Sequence, residues 1–152
     1  MNRLTALVNE LETKIQHSEK MNHAVSRSSV GWHIQHSLLV ASQIITAVEK
    51  SNPAEYRYKF SFPKFVVYTL NKIPRGRAKA PERVMPTAKF NEDEVKKDID
   101  LLKERLDVLN TLQPNNYFTH PYFGQLNLKA AIKILNLHTK HHIAIINDII
   151  KD

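Results

Sequence analysis

Apolar residues return every three or four positions in four long stretches of this chain, the spacing that builds one face of an α-helix. Leu4, Leu7, Val8, Leu11 and Ile15 make the first stripe, with Asn9, Glu10, Glu12 and Lys14 outside it, and predict a helix from about Arg3 to Ser18. Ser18 to Ser29 is polar and reads as a connection. The second stripe, His33, His36, Val40, Ile44 and Ala47, predicts a helix from Ser29 to Lys50, ended by Asn52-Pro53. The third begins at Asn91, with Glu94 completing a capping-box-like start. It turns Val95, Ile99, Leu102, Leu106 and Leu109 inward and stops before Pro114. Asn115 to Gln125 reads as a loop, and Asn127 as the cap of a last helix, Leu128 to Ile150, with Leu128, Ala131, Leu135, Ile145 and Ile149 on its face.

Residues 53–90 break this order, punctuated by Pro53, Pro63, Pro74, Pro81 and Pro86. Phe65 to Lys72 predicts one short helix, and the run from Ile73 to Arg83 an extended loop. The segment is too aromatic for disorder, and a long ordered connection in a small fold is usually a lid or a covering flap. Four amphipathic helices with one core predict an all-α chain. The architecture expected is a four-helix bundle with a long crossover between helices 2 and 3, as a single domain over 1–152. Only three glycines and no clear alternation of strand type agree with that reading.

Composition narrows the chemistry. There is no cysteine, which excludes disulfides and thiolate ligands or nucleophiles. No apolar run is long enough to span a membrane, and the N-terminal residues lack the unbroken apolar run of a signal peptide. A cytoplasmic protein is expected by default. The net charge of +7 is local: residues 51–90 carry nine basic groups against Glu55 and Glu82, and the remainder is balanced. A solvated face is the plainest account of that segment. Arg75 and Arg77 are candidates to hold a substrate's carboxylate or phosphate. Nucleic acid is the less favoured partner, although basic groups mix with aromatics such as Tyr56, Tyr58, Phe60 and Tyr68.

Histidines interrupt two of the apolar stripes. His138 and His142 lie one turn apart on the last helix, and His36 sits near the centre of the inward side of the second. Buried imidazole nitrogens cost free energy unless something satisfies them, and a divalent metal does so. A His-x-x-x-His pair plus a third imidazole gives three protein ligands with a position left open, the pattern of catalytic sites for zinc and similar metals. The bland alternative is a set of core histidines bonded to carbonyls. There is no His-Glu-x-x-His and no inward pair of Glu-x-x-His motifs, which removes the zinc-protease and di-iron arrangements. His33 and His141 flank the faces and are candidates for outer-sphere roles, against the alternative of partly exposed helix histidines. His120, before Pro121 and near Gly124, reads as loop geometry.

Three motifs taken together carry a resemblance: Ser29-Val-Gly-Trp-His-Ile-Gln-His36, His120-Pro-Tyr-Phe-Gly124-Gln-Leu, and His138-Thr-Lys-His-His142. In order and spacing the chain resembles the DinB-like superfamily, the damage-inducible bundle proteins, along nearly its whole length. The loop from Ile73 to Pro81 looks like one branch of that group. The resemblance implies a four-helix bundle, often a homodimer, with nickel or zinc held by His36, His138 and His142. It also implies relatives that act as metal-dependent thiol transferases and thiol-dependent isomerases, so a low-molecular-weight thiol is a candidate co-substrate. Ile145 stands where a Gln is common, and Ala130-Ala131 where a Trp is common. Two readings follow. One is an enzyme in which the metal activates a thiol or water for transfer to, or hydrolysis of, a small substrate. The other is a non-catalytic stress-response or binding module whose metal is structural or vestigial.

Overall fold

The computed structural model describes residues 2–76 and 81–151. Five α-helices follow in order: α1 (Asn2–Thr13), α2 (Val30–Lys50), α3 (Phe62–Leu70), α4 (Glu92–Leu106) and α5 (Leu128–Ile150). Between α4 and α5 lies an antiparallel hairpin of β1 (Tyr117–His120) and β2 (Gly124–Asn127). The chain is thus predominantly helical. The hairpin corrects both the purely α expectation and the loop expected over 115–125.

Local chemistry accounts for the helix starts. Ser29 caps α2 by accepting from the Trp32 amide, Asn91 caps α4 from Glu94, and Asn127 caps α5 from Ala130. The short helix starts at Phe62, earlier than its apolar residues suggested. Ser61 accepts from the Lys64 amide, and Pro63 sits in the first turn, where its missing N–H costs nothing. Asn71 ends it in the left-handed region at φ 52°. The first helix is shorter than expected: α1 ends at Thr13, and a tighter turn over Ile15–His17 keeps Ile15 buried.

α5 packs against α1 and α2, and α4 packs against the same two. Leu4, Leu11, Ile34, Ile45, Ile99, Leu135 and Ile146 are fully buried between them. Each such side chain contributes about 1.5–3 kcal/mol of burial. The hairpin is tied to the end of α2 by Asn116, whose amide donates to the carbonyls of Val48 (3.1 Å) and Ser51 (3.0 Å). Phe118 and Leu126 pair across it and face the core. Its three-residue turn closes at Gly124, whose φ of 71° is open to glycine at little cost.

The crossover from α3 to α4 is strapped back onto α2. Gln43 donates to the Arg83 carbonyl at 2.8 Å, and Val84 is buried. Phe90 closes the strap against Gly31, where a Cβ would lie 2.7 Å from the phenyl ring. Glycine is therefore a packing requirement at the mouth of α2.

Candidate metal centre

α2 and α5 lie side by side, and their apolar stripes put histidines from both into the seam. His36, His138 and His142 offer ligand nitrogens that all lie within 4.8 Å of one another. Ring centroids are 4.5 Å apart for His138–His142, 4.8 Å for His36–His142 and 5.2 Å for His36–His138. A tetrahedral ion about 2.1 Å from each nitrogen would set those nitrogens about 3.4 Å apart, so the trio must draw in by little more than about 1 Å. The three residues fit a borderline divalent ion, and no carboxylate belongs to the group.

Hydrogen bonds decide which ring nitrogens are free. His36 Nδ1 lies 2.7 Å from the Val84 carbonyl, an acceptor only, so Nδ1 carries the proton and Nε2 keeps its lone pair. His142 Nδ1 lies 2.9 Å from His33 Nδ1, and His33 Nε2 lies 2.9 Å from Ser26 Oγ. If His142 offers Nε2 to an ion, its Nδ1–H donates to His33. His33 then holds its own proton on Nε2 and donates it to Ser26. One chain of two imidazoles and a hydroxyl thereby sets the tautomer and orientation of a ligand. His138 keeps some solvent exposure, whereas His36 and His142 are buried.

Burial holds these rings neutral. His142 is driven far below the usual histidine range by desolvation first, then by the other histidines. His138 is also held well below it, by burial and then by His36. Burial lowers His36, opposed by its bond to Val84. His33 is lowered to about 4, by burial and then by neighbouring charges that include Arg75. Neutral imidazoles are the form that binds metal.

The other sequence candidates fall into place around this trio. His33, for which partial exposure was the alternative, is only 4% exposed and bonds His142 directly. His141 is half-buried; its ring is edge-on to His142 at 5.2 Å and hydrogen-bonds the backbone of Ile73. It fastens the crossover to α5. Arg75 is exposed and pairs with Asp148 of α5 at 2.8 Å, and its charge reaches His33 and His141. Arg77, the second expected anion ligand, lies outside the described residues. His120 stacks on Phe123 at 4.2 Å and accepts from the Tyr122 amide, so it does build the turn.

Three contributors escaped the sequence reading. Trp32 stacks on His36 with centroids 4.8 Å apart and planes 11° from parallel. Val84 acts through its carbonyl, which no side-chain pattern announces. Ser26 lies in a polar connection with no periodicity to single it out. Only Trp32 left a signal, as the aromatic residue directly before His33 in the first of the three motifs.

Residues 2–146 match the model of the DinB superfamily. Among curated proteins and among solved structures no match was found.

Proposed function

The chain belongs to the DinB superfamily, and on that premise we propose that it is a divalent-metal protein whose ion is held by His36, His138 and His142. One observation carries the reading: three imidazoles from two helices converge within 4.8 Å. The bonds from His36 to Val84 and from His142 to His33 support it, because each engages Nδ1 and leaves Nε2 available to an ion. Nickel or zinc suits such a donor set. The pairing of α1 and α2 with both α4 and α5 supports a four-helix bundle over a single domain, with α3 riding on the crossover between α2 and α4. A homodimer and a cytoplasmic location complete the reading.

We further propose an enzyme acting on a small substrate. An ion held by His36, His138 and His142 would supply Lewis acidity, lowering the pKa of a thiol or water toward neutral. The chain's residues do the rest. His33 and the Val84 carbonyl hold two ligands in one orientation, and Trp32 braces His36. The backbone of Ile73, bonded to His141, and that of Val84, bonded to His36, cover the trio on one side, and the partly exposed His138 marks the way in. Arg75 is placed to orient an anionic group, by exchanging Asp148 for the substrate.

A second reading rests on a different observation. Two of the three members, His36 and His142, are buried, so an ion there would be shielded from substrate on that side. Elemental analysis of the purified chain and of His138→Ala separates the two. One nickel or zinc per chain that vanishes in the variant, with helix content retained, supports the enzyme. Loss of ion and helix together supports the structural role, and no ion in the parent protein sinks both.

A further inference from the structure

α3 is amphipathic in the wrong direction. Phe62, Phe65, Val66 and Leu70 share one side of it, and that side faces water: Phe62 is 65% and Leu70 68% exposed. The opposite side does the docking, through buried Val67 and through Tyr68, whose hydroxyl donates to the Ala130 carbonyl at 2.7 Å. Tyr58 and Phe60, also exposed, extend the apolar side toward the N-terminal end of α3. So large a cluster of exposed rings on one element marks a contact surface.

Its charge identifies the partner. From Tyr56 to Arg75 the chain has five basic residues and no acidic one. Among the described residues, Arg57, Lys59, Lys64 and Lys72 have no carboxylate partner. Lys64 lies 4.8 Å over the Tyr58 ring and Lys133 lies 5.0 Å over Tyr68, so cations border the rings themselves. A second copy laid face to face would set these cations against their own kind. A nucleic acid would use the flat rings but has no use for Leu70 and Val66. A sheet of anionic headgroups above an acyl boundary uses both the cations and the aliphatic side chains.

We propose that α3 and the run from Arg57 to Phe60 form a docking surface for an anionic lipid bilayer, on which the protein lies without spanning it. Among the described residues no helix is long and apolar enough to cross. This inference stands independently of the metal.

The test is co-sedimentation of the full chain with phosphatidylcholine vesicles, with and without phosphatidylserine, at low and high salt. Binding about tenfold stronger to the anionic vesicles, weakened by salt, is expected, with about tenfold loss in F62S/F65S and in K59E/K64E at unchanged helix content. Phe62, Phe65 and Lys59 are exposed and Lys64 is half-buried over Tyr58, and the charge variant stands alone should the first not fold. Equal binding to both vesicle types overturns the proposal. So does binding to oligothymidine in the absence of vesicle binding, or a dimer dissociated by F62S/F65S with no lipid affinity.

Discussion

The α2–α5 seam and the outer side of α3 are both apolar helix stripes, yet they meet opposite surroundings. In the seam, Ile34, Ile45, Leu135 and Ile146 are closed off by neighbouring helices, and among the described residues the buried polar side chains of α2 and α5, namely His33, His36, Ser37, Thr139 and His142, all have hydrogen-bond partners. On α3, phenylalanines of the same hydrophobicity stand in water because the crossover has no further layer above it. Periodicity announces that a face exists. Which side lies inside is decided by the neighbours, and the seam has neighbours all round.

The sharpest way to break this contrast is to truncate one residue on each stripe. Ile146→Ala should cost about 2–5 kcal/mol in chemical denaturation, by lost burial and a residual cavity, while Phe62→Ser should leave the midpoint nearly unmoved. Equal costs would mean that α3 is covered after all.

Acid sharpens it next. His33 and His120 are held neutral in the folded chain down to about pH 4, whereas in the unfolded chain they take up protons near 6.5. The unfolded state therefore binds more protons inside that window, and stability falls as pH drops from 6.5 toward 4. Above 6.5 the contribution is complete. The metal-free protein should lose roughly 3 kcal/mol through His33 alone, read as a falling denaturation midpoint. His120→Phe should flatten part of that slope, since a phenyl ring can keep the stack on Phe123 and takes up no proton.

A smaller effect is expected from His33→Ala. Removing the acceptor of the His142 proton should weaken metal affinity about 10- to 100-fold in chelator competition, with little change in helix content. An unchanged affinity would make the His33–His142 bond mere packing. Least of all should follow from Asp148→Ala, which releases an exposed Arg75: the melting temperature should stay put.

How much of this was legible in the sequence varied with the reach of the interaction. α5 begins and ends where its stripe and Asn127 indicated, because cap and period are local. The hairpin was read as loop, since strands of four residues with one core residue each, Phe118 and Leu126, show no alternation. The trio His36, His138 and His142 was visible as gaps in two stripes. The burial of His33 was not, because it depends on a ring 109 positions away. The aromatics of 58–70 argued against disorder, and nothing in the charge around them indicated which way they would turn.

The bond from His36 to the Val84 carbonyl makes loop closure and imidazole rotation one motion. When the strap lifts, His36 loses the contact that fixes its ring flip; when an ion seizes Nε2, lifting becomes dearer. Ion and strap are then linked reciprocally. Amide hydrogen exchange at Val84 and Met85, whose N–H groups close the turn beginning at Pro81 and Glu82, should slow on addition of nickel or zinc. A strap that meets a candidate ligand through one backbone oxygen would thus report, from the outside of the molecule, what is bound at its centre.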